Sequence, residues 1–218
     1  MSFSTVSLED LKKAGVKKKW LVFKAEKIAN LANRLTTDMG VSSQITDLYA
    51  RINDIYACYE PGSHMILDAF LLTPSLTLWK ISSTREFDIA ILPEMRVTHG
   101  DGVQLSHPTL GYELWLSGNV DYAVIGYEID KGRDNYRRLL GPHGSRRHAF
   151  EIASGCLFLV EAKHQSGDEE SLTRHIPEAV SQAIAVLKIA NLPEVQFCLS
   201  NGQTWIFFIW KSKNNTLT

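Results

Sequence analysis

The pattern of apolar and polar positions predicts three helices within the first 60 residues. The first helix begins after the N-cap Ser7, which is followed three residues later by Asp10, and it ends at Gly15. Two longer stretches, residues 17–39 and 44–59, repeat apolar residues at helical spacing. The chain therefore opens with a predominantly helical part.

After this helical part, helical spacing gives way to shorter apolar runs. Pro61-Gly62 ends the third helix, and one more short helix is predicted over residues 64–72. From there on the apolar runs have the length of strands. With 218 residues, of which 44% are hydrophobic, the chain can bury a real core. We expect residues 1–76 to form a helical part that packs on an α/β core, residues 77–218, as one compact unit.

Several strand-like runs follow one another in the core. Residues 87–92 form an apolar run, and residues 111–116 alternate between polar and apolar positions. A tight turn at residues 117–119 leads into the strand 119–127. The next strand is residues 156–163. The strands 111–116, 119–127 and 156–163 are expected to pair in this order as an antiparallel meander.

A helix and a hairpin complete the predicted core. The helix has Pro177 at its first position, and apolar residues at helical spacing follow. Asn201-Gly202 then joins two apolar strands, residues 195–200 and 203–210, because this dipeptide favours the tight turn of a β-hairpin. The hairpin is expected to extend the same sheet.

Charged residues stand at the end of strand 156–163, after its apolar run. Glu161 and Lys163 are two residues apart, so on a strand their side chains share one face. If this strand pairs antiparallel with strand 119–127, Asp121 lies opposite Glu161, with side-chain roots about 4.5–5.5 Å apart. Two carboxylates at that separation can hold one divalent cation. The pattern therefore predicts a catalytic edge at the end of these two strands.

The order of these residues resembles the PD-(D/E)XK nuclease superfamily: Asp121, then Glu161-Ala162-Lys163 on the next strand, then a helix and another strand. The stretches LSGNVDYAVIGYE, FLVEAKHQ and PEAVSQAIAVLKIANLPEVQFCLSNGQTWIFF are similar to intracellular members of this superfamily from basidiomycete fungi. The resemblance covers roughly residues 112–212. Val120 stands where the family motif has Pro, a substitution that is common in the superfamily.

The resemblance implies a restriction-endonuclease-like fold, in which helices flank a mixed β-sheet, and metal-dependent cleavage of phosphodiester bonds. Asp121, Glu161 and the backbone carbonyl of Ala162 would bind Mg²⁺ or Mn²⁺. Lys163 would orient or help to deprotonate the attacking water and stabilise developing negative charge. Gln182, on the helix after this strand, is implied as a fourth catalytic residue. DNA is the expected substrate over RNA because the superfamily mostly cuts DNA.

Members of the superfamily usually add an acidic residue from the helix before the first core strand. Glu26 and Glu60 are the two candidates here. A purely structural interpretation of the charged residues also stays open, because ion-pair networks at a sheet edge perturb pKa values without catalysis. The alternative function is therefore an inactive nucleic-acid-binding or protein-interaction module on the same fold.

The long connection between strands 119–127 and 156–163 concentrates positive charge. It contains six basic and two acidic side chains, whereas the whole chain has a net charge of -1. Guanidinium groups match phosphate oxygens, and Tyr136 can stack on a base. We expect this connection to bind nucleic acid; a solvated loop is the alternative. The basic residues are Lys131, Arg133, Arg137, Arg138, Arg146 and Arg147.

The remaining features favour a nuclear or cytoplasmic protein. Cys58, Cys156 and Cys198 lie far apart without zinc-ligand spacing, as expected of reduced cysteines. The N-terminus lacks the apolar core of a signal peptide, and the late apolar run 205–210 is too short to span a membrane. The sequence contains no Walker phosphate loop, no G-x-S-x-G and no H-E-x-x-H motif. Neither a membrane nor a homo-oligomer is indicated as a partner.

Overall fold

The computed structural model describes the sheet, the helices that flank it and the N-terminal segment. The residues described are 1–19, 24–27, 29–30, 47–48, 50–52, 54, 60–81, 87–98, 100–107, 109–128, 132–141, 148–153, 157–163, 172–212 and 216–217. For residues 60, 73–81, 87, 132, 133, 216 and 217 the description covers the backbone alone.

Two sheets contain the strands of the described residues. These strands are β1 (Lys17–Lys18), β2 (Phe87–Arg96), β3 (Val103–Ser106), β4 (Glu113–Leu116), β5 (Asn119–Glu128), β6 (Leu157–Ala162), β7 (Glu194–Ser200), β8 (Trp205–Lys211) and β9 (Thr216–Leu217). The larger sheet has the order β1-β9-β8-β7-β6-β5-β2, and β3 pairs with β4. In the larger sheet β6 runs antiparallel to β5 and parallel to β7, so the sheet is mixed. Its five long strands are β2, β5, β6, β7 and β8.

Helices flank the larger sheet. The described helices are a 3-10 turn (Phe3–Thr5), α1 (Leu8–Lys13), α2 (Glu60–Ile81), α3 (Gly132–Leu139), α4 (Ala149–Ile152) and α5 (Ile176–Ala190). The expected α/β class, a mixed sheet with helices against it, is thereby confirmed. None of the helices in the described ranges has both the length and the apolar content required to cross a bilayer.

α5 connects the parallel strands β6 and β7 and is buried around nearly its whole circumference. One side packs against β7, and other sides contact the 3-10 turn, α1, β3 and β4. The prediction for this helix is confirmed, since Pro177 lies in its first turn and its apolar residues are buried. Asn191 caps its C-terminus in the left-handed conformation, with φ of 50°.

Alternation along the strands gives the larger sheet an apolar layer on each face. Residues such as Leu159 and Phe197 belong to the cluster that includes the apolar side chains of α5. Their neighbours in sequence, Val160 and Cys198, pack in a second cluster with Leu67 of α2. Successive side chains of a strand point to opposite faces, so β6 and β7 contribute to both layers.

Two local predictions are confirmed in detail. At α1 the Ser7 hydroxyl accepts the Asp10 N–H at 3.1 Å, and the Asp10 carboxylate accepts the Ser7 N–H at 3.0 Å, which is a capping box. At the end of the chain β7 and β8 form the predicted hairpin. Its turn is longer than predicted, because the Asn201 side chain accepts the N–H groups of Gln203 and Thr204, so β8 begins at Trp205.

The predicted meander of three strands is wrong. β4 pairs with β3 in the small sheet, and the neighbours of β5 in the larger sheet are β2 and β6. The chain changes direction at Gly118, which has φ of 144°, and the Ser117 carbonyl accepts the N–H of Phe3 at 3.0 Å. The N-terminal segment thus bonds at the end of β4, and the edge of β5 that β4 was expected to occupy is taken by β2.

The helical predictions before residue 87 need three corrections. The helix expected over residues 17–39 does not begin there, because Lys17–Lys18 form β1 beside β9. α2 begins at Glu60, with Pro61 in its first turn, so Pro61-Gly62 opens a helix here. α2 then continues to Ile81, past the predicted limits of 64–72 and past residue 77, where strands and turns were expected. Where residues 25–54 are described they are helical, as predicted, and the rest of those two helices lies outside the described residues.

The basic connection is more ordered than the predicted loop. Its described residues include α3 and the start of α4. Leu139 and Ala149 are buried in the main core, so this connection is anchored at both helices.

We expect Gly118→Ala to lower the free energy of unfolding by about 2–4 kcal/mol, because its φ of 144° is strained for Ala and the added Cβ would lie 2.6 Å from the buried Phe3 ring. Gly100→Ala is the matched control: its φ is 78°, but the added Cβ would meet nothing within 4 Å. Gly100→Ala should lower the free energy of unfolding by about 1 kcal/mol. Urea unfolding of both variants tests this, and equal losses would contradict a role for the contact with Phe3.

Candidate active site at the end of strands β5 and β6

The pairing of β5 with β6 places Asp121 beside Glu161. Tyr122 pairs with Val160, so the next position in the antiparallel register sets Asp121 opposite Glu161. The Ala162 N–H donates to Oδ2 of Asp121 at 2.7 Å, which fixes this carboxylate at the end of β6. The predicted juxtaposition of the two acids is thus present in the structure.

Glu161 is only 3% exposed, and the protein supplies donors to both of its carboxyl oxygens. Gln182 of α5 donates to Oε2 at 2.7 Å, and the Lys163 ammonium lies 2.7 Å from Oε1. The same Gln182 amide also donates to the Asn119 carbonyl at 3.2 Å, which ties α5 to the start of β5. The structure therefore brings Gln182 to the predicted site.

Lys163 is shared between two carboxylates. Its Nζ lies 2.7 Å from Glu161 and 2.8 Å from Oε2 of Glu178, and its side chain is 15% exposed. The Lys163 N–H donates to the Ser200 carbonyl, so the backbone continues the β6–β7 ladder past the end of β6. Glu178 was not predicted as a site residue. Its position one helical turn before Gln182 is a signal that could have indicated it.

Burial dominates the electrostatics of the site. It raises the pKa of Asp121 above its ordinary range, and it raises the pKa of Glu161 to about 8, with a further contribution from the Asp121 charge. Burial alone lowers the pKa of Lys163, but the Glu161 and Glu178 carboxylates outweigh it, and the net shift is upward. Two neighbouring acids that are shielded from water resist ionising together, and a cation bound between them would favour their ionised forms.

Two further titratable residues lie close to Asp121 and were not predicted. His64 of α2 has Nδ1 3.1 Å from the Tyr122 hydroxyl, and in its protonated form it would lower the pKa of Asp121. Glu94 falls opposite Asp121 in the β2–β5 pairing, between the pairs Pro93–Tyr122 and Met95–Val120. It has a left-handed backbone, with φ of 49°. Glu94 was not predicted because the meander paired β5 with β4 instead of β2.

The two candidate acids from the N-terminal helices have different positions. Glu60 is the first residue of α2, one helical turn before His64, so its backbone lies on the element that approaches Asp121. Glu26 is exposed, within a short described helical segment. A role for either glutamate as an additional acid stays a prediction.

The basic connection leaves the two strands at the end opposite the carboxylates. It begins after Glu128 of β5, seven residues or about 23 Å from Asp121, and it enters β6 at Leu157. Arg137 is exposed on α3, whereas Arg138 forms an ion pair with Glu151 at 3.0 Å. For Arg133 only the backbone is described, and Lys131, Arg146 and Arg147 lie outside the described residues.

The donor set suits a hard divalent cation that keeps several waters. Asp121 and Glu161 offer carboxylate oxygens from neighbouring strands, and the Ala162 carbonyl is the predicted third oxygen. Among the residues that the structure describes, no group of three or more His, Cys, Asp or Glu could by itself hold a metal ion. Mg²⁺ and Mn²⁺ are commonly held by one or two carboxylates with waters completing the coordination, so the residues present fit these ions.

Comparisons with known proteins give no relative for this chain. No protein-family model matches it, and neither a curated protein nor a solved structure matches it.

We expect the stability of the protein to depend on pH through Glu161. Its pKa of about 8 in the folded protein exceeds the ordinary value of 4.5, so the folded state holds this proton more tightly. The resulting stabilisation is fully present below pH 4.5 and is lost as the pH rises through about 8. The free energy of unfolding, measured relative to Glu161→Gln, should fall by on the order of a few kcal/mol across this window. If the free energy of unfolding changed with pH in the same way in both proteins, the role of Glu161 in the pH dependence would be contradicted.

Proposed function

We propose that this protein is a metal-dependent phosphodiesterase that cleaves nucleic acid, on a restriction-endonuclease-like fold. The observation that carries the proposal is the buried constellation in which Lys163 and Gln182 both contact Glu161 beside Asp121. An ion pair at the protein surface forms without such burial. Catalytic groups are held in a fixed geometry when they are buried and their polar atoms all have hydrogen-bond partners.

The arrangement of elements around the site supports the same proposal. α5 connects β6 to the parallel strand β7 and places Gln182 over the end of β6. A strand with the acid-x-Lys segment, then a helix and then another strand is the order that the sequence resemblance implies.

Each residue has a distinct role in the proposed hydrolysis. The Ala162 N–H holds the Asp121 carboxylate in place, and Gln182 orients the Glu161 carboxylate. The Lys163 ammonium orients the attacking water and stabilises charge that develops on the phosphoryl oxygens. When bound by Asp121, Glu161 and the Ala162 carbonyl, Mg²⁺ or Mn²⁺ would lower the pKa of a coordinated water and neutralise phosphoryl charge.

The experiment is a cleavage assay on single- and double-stranded DNA and RNA, with Mg²⁺, Mn²⁺ or EDTA. We expect cleavage that requires the metal, with DNA preferred. Asp121→Asn, Glu161→Gln and Lys163→Met should each reduce the rate by about a hundredfold or more, because each removes a group needed in the transition state.

Circular dichroism and the unfolding midpoint of each variant are the controls for folding, since all three residues are at least partly buried. Cleavage that survives in all three folded variants would overturn the proposed site. Cleavage that persists in EDTA would overturn the metal dependence.

A module that binds nucleic acid or another protein without cleaving is the second candidate. The observation that favours it is that the protein's own donors already occupy both oxygens of Glu161. An ion-pair network of this kind can be stable without any cation. In that case the cleavage assay shows no turnover with either metal, while salt-sensitive binding of nucleic acid remains.

We expect Arg137→Ala to weaken nucleic-acid binding severalfold and to reduce the slope of log affinity against log salt by about 1, because Arg137 is exposed on α3. Arg138→Ala is the matched control on the same helix. Arg138 is already paired with Glu151, so its loss should have the smaller effect. Fluorescence anisotropy at several salt concentrations measures both, and a salt slope unchanged by Arg137→Ala would exclude a phosphate contact there.

A further inference from the structure

We infer that Glu178 is a positioning residue for Lys163: it retains the ammonium in the site when Glu161 binds a divalent cation. This inference rests on the proposed function, because it concerns the same carboxylate and the same lysine. It adds a residue of α5 that the sequence resemblance does not include.

The geometry that carries the inference is one ammonium between two carboxylates from different elements. Lys163 Nζ lies 2.7 Å from Oε1 of Glu161 at the end of β6 and 2.8 Å from Oε2 of Glu178 in the first turn of α5. The three side chains are 15%, 4% and 14% exposed, respectively. Both contacts are therefore shielded from water, so the loss of one partner would leave the other charge poorly compensated.

When a cation binds at Glu161, Lys163 needs another negatively charged partner. The cation competes for the same carboxylate and repels the ammonium, so the contact at 2.7 Å weakens. An ammonium with no other partner would then be buried and unpaired, which is strongly unfavourable. Glu178 removes this penalty, because it already contacts the same nitrogen atom.

The packing of α5 fixes Glu178 in its position beside Lys163. Pro177 starts the helix, and the residues after Glu178 are buried against the sheet, so its backbone position is set by the core. Gln182 lies one turn further along and contacts the other oxygen of Glu161. One face of α5 thus holds both ends of the Glu161–Lys163 pair. His175 also lies near Glu178, with Nδ1 3.6 Å from Oε2.

The experiment is calorimetric titration of Mn²⁺ into four proteins: the native chain, Glu178→Gln, Lys163→Met and the double variant. We expect Glu178→Gln to weaken Mn²⁺ binding at least about tenfold, because the cation must then displace a lysine that has no second partner. In the Lys163→Met background the same substitution should change the affinity less than about twofold.

Two results of the titration would overturn the inference. Equal weakening in both backgrounds would mean that Glu178 acts on the cation directly, as a ligand or as a negative charge. An unchanged affinity in Glu178→Gln would mean that Lys163 needs no second partner.

A second measurement, made without metal, separates this inference from the proposed function. Urea unfolding above pH 8, where Glu161 is ionised, is compared for Glu161→Gln, Glu178→Gln and the double variant. Each single change leaves Lys163 one carboxylate and the double change leaves none, so the double variant should lose at least about tenfold more in folding equilibrium constant than the two single losses predict. The excess should disappear when Lys163→Met is added.

If the native chain binds no Mn²⁺, the proposed function fails, and the unfolding cycle decides whether the two carboxylates share the lysine. Additive losses in that cycle would overturn the positioning role of Glu178 whatever the metal titration shows.

Discussion

Burial of the Glu161 carboxyl group at the end of β6 is the constraint on which the rest of the site depends. A buried carboxyl group is tolerated only where the protein supplies hydrogen-bond donors or a positive charge. Gln182 and Lys163 meet that requirement at 2.7 Å each, and they come from different elements. α5 must therefore pass close to the end of β6, which fixes how it crosses from β6 to the parallel strand β7. The site and the core layer under α5 thus depend on the same packing.

A stable ion-pair network and a metal-dependent hydrolase differ in how the site responds to a divalent cation. Asp121 is half-buried and Glu161 is buried beside it, and both have a raised pKa, so the pocket gains by accepting positive charge. Lys163 already supplies one such charge, and Glu178 gives it an alternative partner. The basic connection begins about 23 Å away, after Glu128 at the other end of β5, roughly the length of seven base pairs. A nucleic acid that reached both would have to lie along the strands.

Those features that depend on backbone geometry over a few residues could be predicted from the sequence. The capping box at Ser7 and the start of α5 at Pro177 follow from which groups can satisfy a helix N-terminus. The pairing of Asp121 with Glu161 follows from the period of two along a strand, once two adjacent strands are antiparallel. The α/β class and most of the candidate site were thus within reach of local rules.

Only the tertiary structure decided which elements become neighbours. β4 pairs with β3 instead of β5, and the N-terminal segment, far away in sequence, bonds at Ser117. β2 takes the edge of β5 and sets Glu94 opposite Asp121, and the packing of α2 brings His64 to Tyr122. A sequence pattern gives each strand its faces but not its partner, since the partner is chosen by the burial of the whole sheet. The sequence by itself therefore determined which charged residues stand at the end of β6, and long-range packing determined what surrounds them.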